Sequence, residues 1–368
     1  MKIAFINDTV YAYASGAPSA VGGAERYQWL LARALAASGW SVVVGVREAL
    51  EAGERCVIDG VQCVGIGRGA VFSARGHIFS VWYRFLSAER PDWWYWQCAD
   101  HLWGPAVEVA KLVGVHTIFS AAVDRDVQPR HALFRRPRWW PLYAWGLSRT
   151  DKIFVQHGGQ LATLAPRWRS KASILPGIVD TTVAVKPHPE REQYVAWVAV
   201  LRQPKRPDLL IEIARKLPAM RFVVCGGPTT FDAQPGYGER IMDALRAQPN
   251  IEYLGQVPPQ KTLQIIADAA ILLSTSDEEG FPSTFLEAWS GGTPVISLKL
   301  DLDRTIERAG LGTVPGTVER ATADILALME SPQRRDAIAA RARQYIANTH
   351  SAAAVVTVFE KAIADVLS

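Results

Sequence analysis

Ser274–Ser297 reads STSDEEGFPSTFLEAWSGGTPVIS. The apolar run from Ala270 to Ser274 enters it as a strand, and an acidic loop follows. Gly280-Phe281-Pro282 then turns the chain. Ser283 to Ser290 has the apolar spacing of a helix, and Pro294 to Leu298 returns as a strand. Strands alternating with helices in this way predict an α/β fold with a parallel, doubly wound sheet.

Working outward, the same rhythm recurs on both sides. Upstream, strands are expected at Tyr194 to Leu201, Arg221 to Cys225 and Ile251 to Leu254, with helices at Pro207 to Leu217 and Gln260 to Ala269. Two long amphipathic helices, Ser331 to Ala347 and Ala352 to Leu367, close the chain. A second βα series fills the first half. Its strands are Lys2 to Asn7, Ser41 to Val46, Cys56 to Ile66, Trp93 to Gln97, His116 to Ser120 and Ile153 to Gln156, with a helix from Ala24 to Ser38. Thr9 to Val21 reads as a long functional loop. Leu175 to Glu192 is rich in Pro and Val without periodicity. The chain therefore divides into a domain over 1–180, a linker over 181–192, a second domain over 193–347, and a terminal segment over 348–368. Ligands of open α/β sheets bind beyond the carboxyl ends of the strands, so both domains are expected to offer loops to a cleft.

In the opening stretch Glu279 stands just before the helix and Glu287 about one turn inside it. Backbone N–H groups of a first helical turn, together with the helix dipole, attract an anion. Carboxylates at either end of such a site do not serve the anion itself. They suit the neutral hydroxyls that flank a phosphate, those of a ribose and a hexose, so the segment has the make-up of a clamp for a nucleoside diphosphate sugar. A purely local reading is also available. Thr284-x-x-Glu287 and Ser276-x-x-Glu279 both match a capping box, and Phe281, Phe285 and Trp289 suit a core.

Bulk properties narrow the field. The chain has 368 residues, is 49% hydrophobic and 21% charged, and carries a net charge of +4, which is ordinary for a globular protein of about two domains. No apolar run reaches the ~18 residues a membrane span needs. The apolar start Ile3 to Ile6 is cut by Asn7-Asp8, which argues for an opening strand and against a signal peptide. Cys56, Cys63, Cys98 and Cys225 show no metal-ligand spacing, so reduced thiols and a cytoplasmic location are expected, with no metal site. Residues 1–180 hold 20 Lys+Arg against 14 Asp+Glu, so the basic excess belongs to the first half. Within it Phe134 to Trp145 interleaves basic and aromatic residues (FRRPRWWPLYAW). That pattern suits peripheral contact with a membrane's inner face or a sugar or lipid acceptor, and equally an amphipathic helix whose aromatics enter the core. Nucleic acid is not an expected partner, because the charge is small and no recognition motif is present.

Glu279-Gly280-Phe281 with Glu287 eight positions on, followed by Gly292-Thr293-Pro294-Val295, resembles the E-x7-E signature of the family 4 retaining glycosyltransferases. The likeness extends over nearly the whole chain. Gly22-Gly23-Ala24-Glu25 resembles the family's first glycine-rich turn, Leu175 to Asp180 the end of its first domain, and Leu254-Gly255-Gln256-Val257 its base-binding loop. The resemblance implies the GT-B fold: two facing Rossmann-like domains with the active site between them and a last helix that crosses back to the first. It implies transfer of a sugar from a nucleotide-sugar substrate to a glycan or lipid-linked acceptor, with retention, no cofactor and no metal, in polysaccharide or glycolipid assembly.

On this reading Glu287 holds the ribose and Glu279 the donor sugar, while Gly255 and Val257 meet the base. Backbone groups from Gly280, Phe281, Pro282, Ser283 and Thr284, and from Gly22 and Gly23, hold phosphate. Lys205 and Arg202 stabilise the charge that develops on the leaving diphosphate. Two positions depart from the family. Its Arg stands five residues before the Lys, where this chain has Val200; Arg202 stands three before. Many relatives place a His just after the strand equivalent to His116–Ser120, where this chain reads Ser120-Ala121-Ala122 followed by Asp124-Arg125-Asp126. Asp124 or Asp126 is then a candidate to orient the acceptor or take its proton, with a surface ion pair to Arg125 as the plainer role. A nucleotide-sugar epimerase of the same fold and a non-catalytic nucleotide-sugar-binding subunit are the alternatives.

Overall fold

The computed structural model describes residues 1–16, 23–67, 75–132, 139–180, 185–229 and 234–367. The chain forms two compact units, Met1–Ile178 with Ala352–Ser368, and Val179–Ser351.

The first unit is built on one sheet. Its strands are β1 (Lys2–Ile6), β2 (Ser41–Val46), β3 (Arg55–Ile58), β4 (Val61–Gly65), β5 (Trp93–Gln97), β6 (His116–Ser120), β7 (Lys152–Val155) and β8 (Ala172–Ile174). They lie in the order β3-β4-β2-β1-β5-β6-β7-β8, all parallel except the β3–β4 pair. Continuous apolar runs such as Ile3-Ala4-Phe5 and Trp93-Trp94-Tyr95 fit strands covered on both faces. Alternate residues feed separate cores, as the period of two requires. Ile3, Phe5, Trp93 and Tyr95 pack with the helix Gly23–Ala37, while Ala4 and Trp94 pack with the helices Arg75–Glu89 and Trp103–Leu112.

The helix Ala352–Leu367 also belongs to this unit. It buries Val355, Phe359 and Ile363 in the first core, each worth roughly 1.5–3 kcal/mol. Glu360 accepts a hydrogen bond from Trp40 Nε1 at 2.8 Å.

The second unit carries β9 (Tyr194–Val198), β10 (Arg221–Cys225), β11 (Ile251–Gly255), β12 (Ile271–Ser274), β13 (Val295–Ser297) and β14 (Gly312–Thr313). The order β11-β10-β9-β12-β13-β14, parallel throughout, is the doubly wound 3-2-1-4-5-6 arrangement. The expected fold class, two Rossmann-like parallel sheets, is what the chain forms.

Three local readings are corrected. The single strand expected at Cys56 to Ile66 is a hairpin. Asp59 and Gly60 take positive φ, 48° and 81°, as a two-residue turn demands, and Asp-Gly was its signal. The loop expected from Thr9 contains a helix, Asp8–Ala14, whose Asn7 side chain accepts the Thr9 N–H at 3.0 Å; positions 17–21 lie outside the described residues.

The third concerns 181–192. Positions 181–184 lie outside the described residues, and the remainder is part of the second unit, which begins at Val179. His188 and Arg191 are buried. His188 Nε2 donates to the Gly292 carbonyl at 2.9 Å, and Arg191 donates to Thr293 Oγ1 and the Gly291 carbonyl at 2.9 and 2.6 Å. Burial, with Arg191 alongside, pushes the His188 imidazole down to about 4, so the ring is neutral where it donates. Both side chains hold the end of the helix Ser283–Ser290. Proline richness predicted an aperiodic backbone there correctly; it carries no information on burial.

Candidate functional site

In the second unit the sheet order reverses between β9 and β12, which are neighbours although β10 and β11 separate them in sequence. A ligand crevice forms at the carboxyl ends of strands flanking such a switch point. The loops leaving these two strands are joined by hydrogen bonds. Thr275 Oγ1 receives the Trp197 indole N–H at 3.0 Å and donates to the Lys205 carbonyl at 2.8 Å, and the Asp277 N–H donates to the Pro204 carbonyl at 2.8 Å. Gly226 supports the same exit from β9. At φ 146° it lets the Ala199 carbonyl approach to where a Cβ would stand 1.8 Å away.

This frame brings Lys205 and Glu279, 74 residues apart, into an ion pair between Lys205 Nζ and Glu279 Oε1. The two side chains are only 13% and 17% exposed. Lys205 ends a short 3-10 turn, Gln203–Lys205, closed by Arg206 at φ 49°. Arg206 is committed elsewhere, to Asp208 at 2.7 Å and Asp277 at 3.1 Å, and these hydrogen bonds, Asp208 first, raise its pKa. Arg202 precedes the turn and makes no side-chain hydrogen bond or ion pair within the described residues.

The helix Ser283–Ser290 begins beside Glu279. Pro282 is its N-cap and supplies no side-chain cap hydrogen bond. Thr284 lies inside the helix and Ser276 precedes none, so neither sequence-level capping box forms. Glu287 is buried within this helix, 5% exposed. Gly280 and Pro282 are buried, Phe281 and Thr284 half-buried, and Ser283 exposed. Phe281 and Phe285 pack edge-on against Trp289 at 6.5 and 5.6 Å, so these rings belong to the core. Gly255 closes β11 at φ 66°, its carbonyl accepts the Gly226 N–H at 2.8 Å, and Val257 follows half-buried. Uncapped N–H groups, a buried carboxylate, two cations and a second carboxylate thus share one sheet edge. That combination can bind a diphosphate together with neutral hydroxyls.

In the first unit Gly22 lies outside the described residues, and Gly23 opens its helix exposed. Asp126 is not a free base. It is buried and accepts the N–H groups of Ala99, Ala122 and Val123 at 3.2, 2.8 and 3.1 Å, tying two loops together. Burial raises its pKa against those bonds. Asp124 is half-shielded at the surface, and its Oδ1 accepts His157 Nε2 at 2.9 Å and Gln160 Nε2 at 3.1 Å. His157 and Gln160, 33 and 36 residues downstream, were not legible from sequence, which holds no local pattern linking them to Asp124. Of Phe134–Trp145, positions 134–138 lie outside the described residues. The helix Trp140–Arg149 buries Tyr143 and exposes Leu142 and Trp145, with Arg149 over the Trp145 ring at 5.9 Å. Among the described residues no helix is long and apolar enough to cross a membrane.

Residues 179–345 match the family model of glycosyl transferases group 1. The D-inositol 3-phosphate glycosyltransferase of Mycolicibacterium smegmatis is 33% identical over 220 residues, 55% of this chain and 48% of that protein. The chain thus spans about half the length of the curated relatives it matches. Among solved structures, sucrose-phosphate synthase from Thermosynechococcus elongatus superposes with a TM-score of 0.75 at 16% identity, covering 100% of this chain and 99% of that one. Anabaena HepE, solved with UDP and glucose, gives 0.72 at 16% identity, with 100% and 99% covered. At that identity both likenesses speak to the fold.

Proposed function

We propose that the chain is a metal-independent, retaining glycosyltransferase whose donor is a nucleoside diphosphate sugar, a reading supported by the match of residues 179–345 to the glycosyl transferases of group 1. The observation that carries this reading is the Lys205–Glu279 ion pair at the switch point, beside the uncapped helix that holds Glu287. The helix N–H groups take the diphosphate, Glu287 the ribose and Glu279 the sugar hydroxyls. Lys205 and Arg202 stabilise the diphosphate as the sugar–phosphate bond breaks. Cysteine usage favours a cytoplasmic protein, and a glycan or lipid-linked acceptor is what the family resemblance implies.

A thermal-shift panel of UDP-, GDP-, ADP- and dTDP-sugars tests the donor site. One donor at 100 times its Kd should stabilise the protein by roughly 2.7 kcal/mol. Glu287→Gln, which replaces a charged hydrogen-bond acceptor, should weaken that donor by about 10-fold or more. A panel without any shift would sink the proposal.

Contact with a membrane surface is proposed through Leu142 and Trp145, which are exposed on one helix with Arg149 over the Trp145 ring. The full chain should sediment with vesicles rich in anionic lipid and lose that association in a Leu142→Ser/Trp145→Ser variant. Equal sedimentation of the two would refute the contact.

A further inference from the structure

The carboxyl edge of the first unit's sheet carries a polar cluster that the donor site does not use. Gln97 ends β5 opposite Ser120 at the end of β6, and Gln156 and His157 directly follow β7. Asp124 begins the 3-10 turn Asp124–Val127 that follows β6. One of its oxygens, Oδ1, accepts both His157 Nε2 and Gln160 Nε2, and Gln160 Oε1 in turn accepts the Gln156 N–H at 2.8 Å. Among the described residues Oδ2 has no partner.

Exposure gives this pair its direction. The Asp124 side chain is 41% exposed and the His157 side chain 6%. In a pair that works through its imidazole the ring faces the substrate; here the ring stands behind and the carboxylate faces outward. Beside it, both amide atoms of Gln97 and Oε1 of Gln156 are buried without a partner among the described residues. Cys98, next to Gln97, holds φ 71°. Unmatched buried amide groups and left-handed backbone at a non-glycine residue each cost stability, and such costs concentrate at binding sites. Gly159 completes the arrangement. A Cβ there would stand 2.9 Å from His157 Nδ1 and 3.0 Å from Cε1, so only glycine leaves the imidazole its place.

Deepening the transferase reading, on which this rests, we propose that His157 and Gln160 are positioning residues that hold the Asp124 carboxylate to accept a hydrogen bond from a hydroxyl of a neutral sugar or polyol acceptor on the first unit. Oδ1 is occupied from behind, and Oδ2 is left for the incoming hydroxyl.

The test is saturation-transfer NMR on the full chain, with methyl α-D-glucopyranoside, methyl α-D-mannopyranoside and myo-inositol as probes. It is run with and without the nucleoside diphosphate of whichever donor the thermal-shift panel identifies. At least one probe should bind. Asp124→Asn, His157→Phe and Gly159→Ala should each weaken it by about 10-fold, the scale of one hydrogen bond to a charged group. His157→Gln keeps an amide nitrogen where Nε2 stands and should recover most of the affinity. A purely structural role for His157 would instead lower Tm and leave probe affinity of the folded protein unchanged. No binding of any probe to the unaltered chain, or undiminished affinity in both His157→Phe and Gly159→Ala, overturns the proposal. Absence of nucleotide binding overturns the donor site instead, and the probe titration without nucleotide still decides this one.

Discussion

Lys205→Ala is expected to lower kcat by about 10²-fold or more, as removal of one transition-state donor commonly does. The substitution removes the ammonium and leaves its surroundings in place. The bond from Thr275 Oγ1 ends on the Lys205 backbone carbonyl, and the Asp277 N–H ends on that of Pro204, so the loop keeps both of its anchors. What is lost is the positive charge beside Glu279, in a place where both side chains are mostly shielded from water and a fixed charge acts strongly. A group that stabilises the departing diphosphate matters most as the bond breaks, so kcat should fall much further than donor affinity. Diphosphate release under saturating donor, set beside donor Kd, separates the two. Turnover equal to that of the unaltered chain would remove Lys205 from the reaction. Arg206 is a fitting control, because its charge is committed to Asp208 and Asp277.

Gly226→Ala should destabilise the second unit by about 3 kcal/mol or more and abolish donor binding. Its φ of 146° lies where side chains are rarely accommodated, and the added Cβ would stand 1.8 Å from the Ala199 oxygen and 2.8 Å from its carbon. Both contacts are backbone, so neither can rotate away. Relief requires the exit from β9 to move, and that segment is fastened to β10 and its loop by Ala199 N–H to the Cys225 carbonyl and Leu201 N–H to the Gly227 carbonyl. Moving it shifts Arg202 and Lys205. Gly255→Ala is the informative comparison: its φ is 66°, yet nothing lies within 4 Å of the added Cβ. It should cost only the roughly 1–2 kcal/mol of a left-handed residue. Urea unfolding of both variants measures the difference, and equal midpoints would contradict the steric argument.

Much of the fold was legible because it rests on local periodicity. β2, β5, β6 and β10 and the helices Ser283–Ser290 and Ala352–Leu367 have the boundaries that apolar patterning predicts. The hairpin at Asp59-Gly60 is hard to read from periodicity because its two short strands are separated by only a two-residue turn. The short strands β8 and β14 leave no periodic signal, because two or three residues cannot show a period. In the donor region the spacing of Glu279 and Glu287 around a turn and a helix start was visible in one segment. Its meaning was not, since a capping box and a ligand clamp share the same letters. The structure removes the capping box by placing Thr284 inside the helix, and it sets Glu279 against Lys205.

The sequence by itself determined two βα series, the turn and helix that carry Glu279 and Glu287, and the acidic and basic groups near them, because each depends on neighbours within a few positions. Only the tertiary structure decided which charges meet. Sheet order places β9 beside β12, and that adjacency joins Lys205 to Glu279 across 74 residues. The same holds for β6 and β7, whose pairing lets His157 and Gln160 reach Asp124. Strand adjacency is settled by the packing of whole faces, as helices cover both sides of a sheet, and no window of sequence contains that sum.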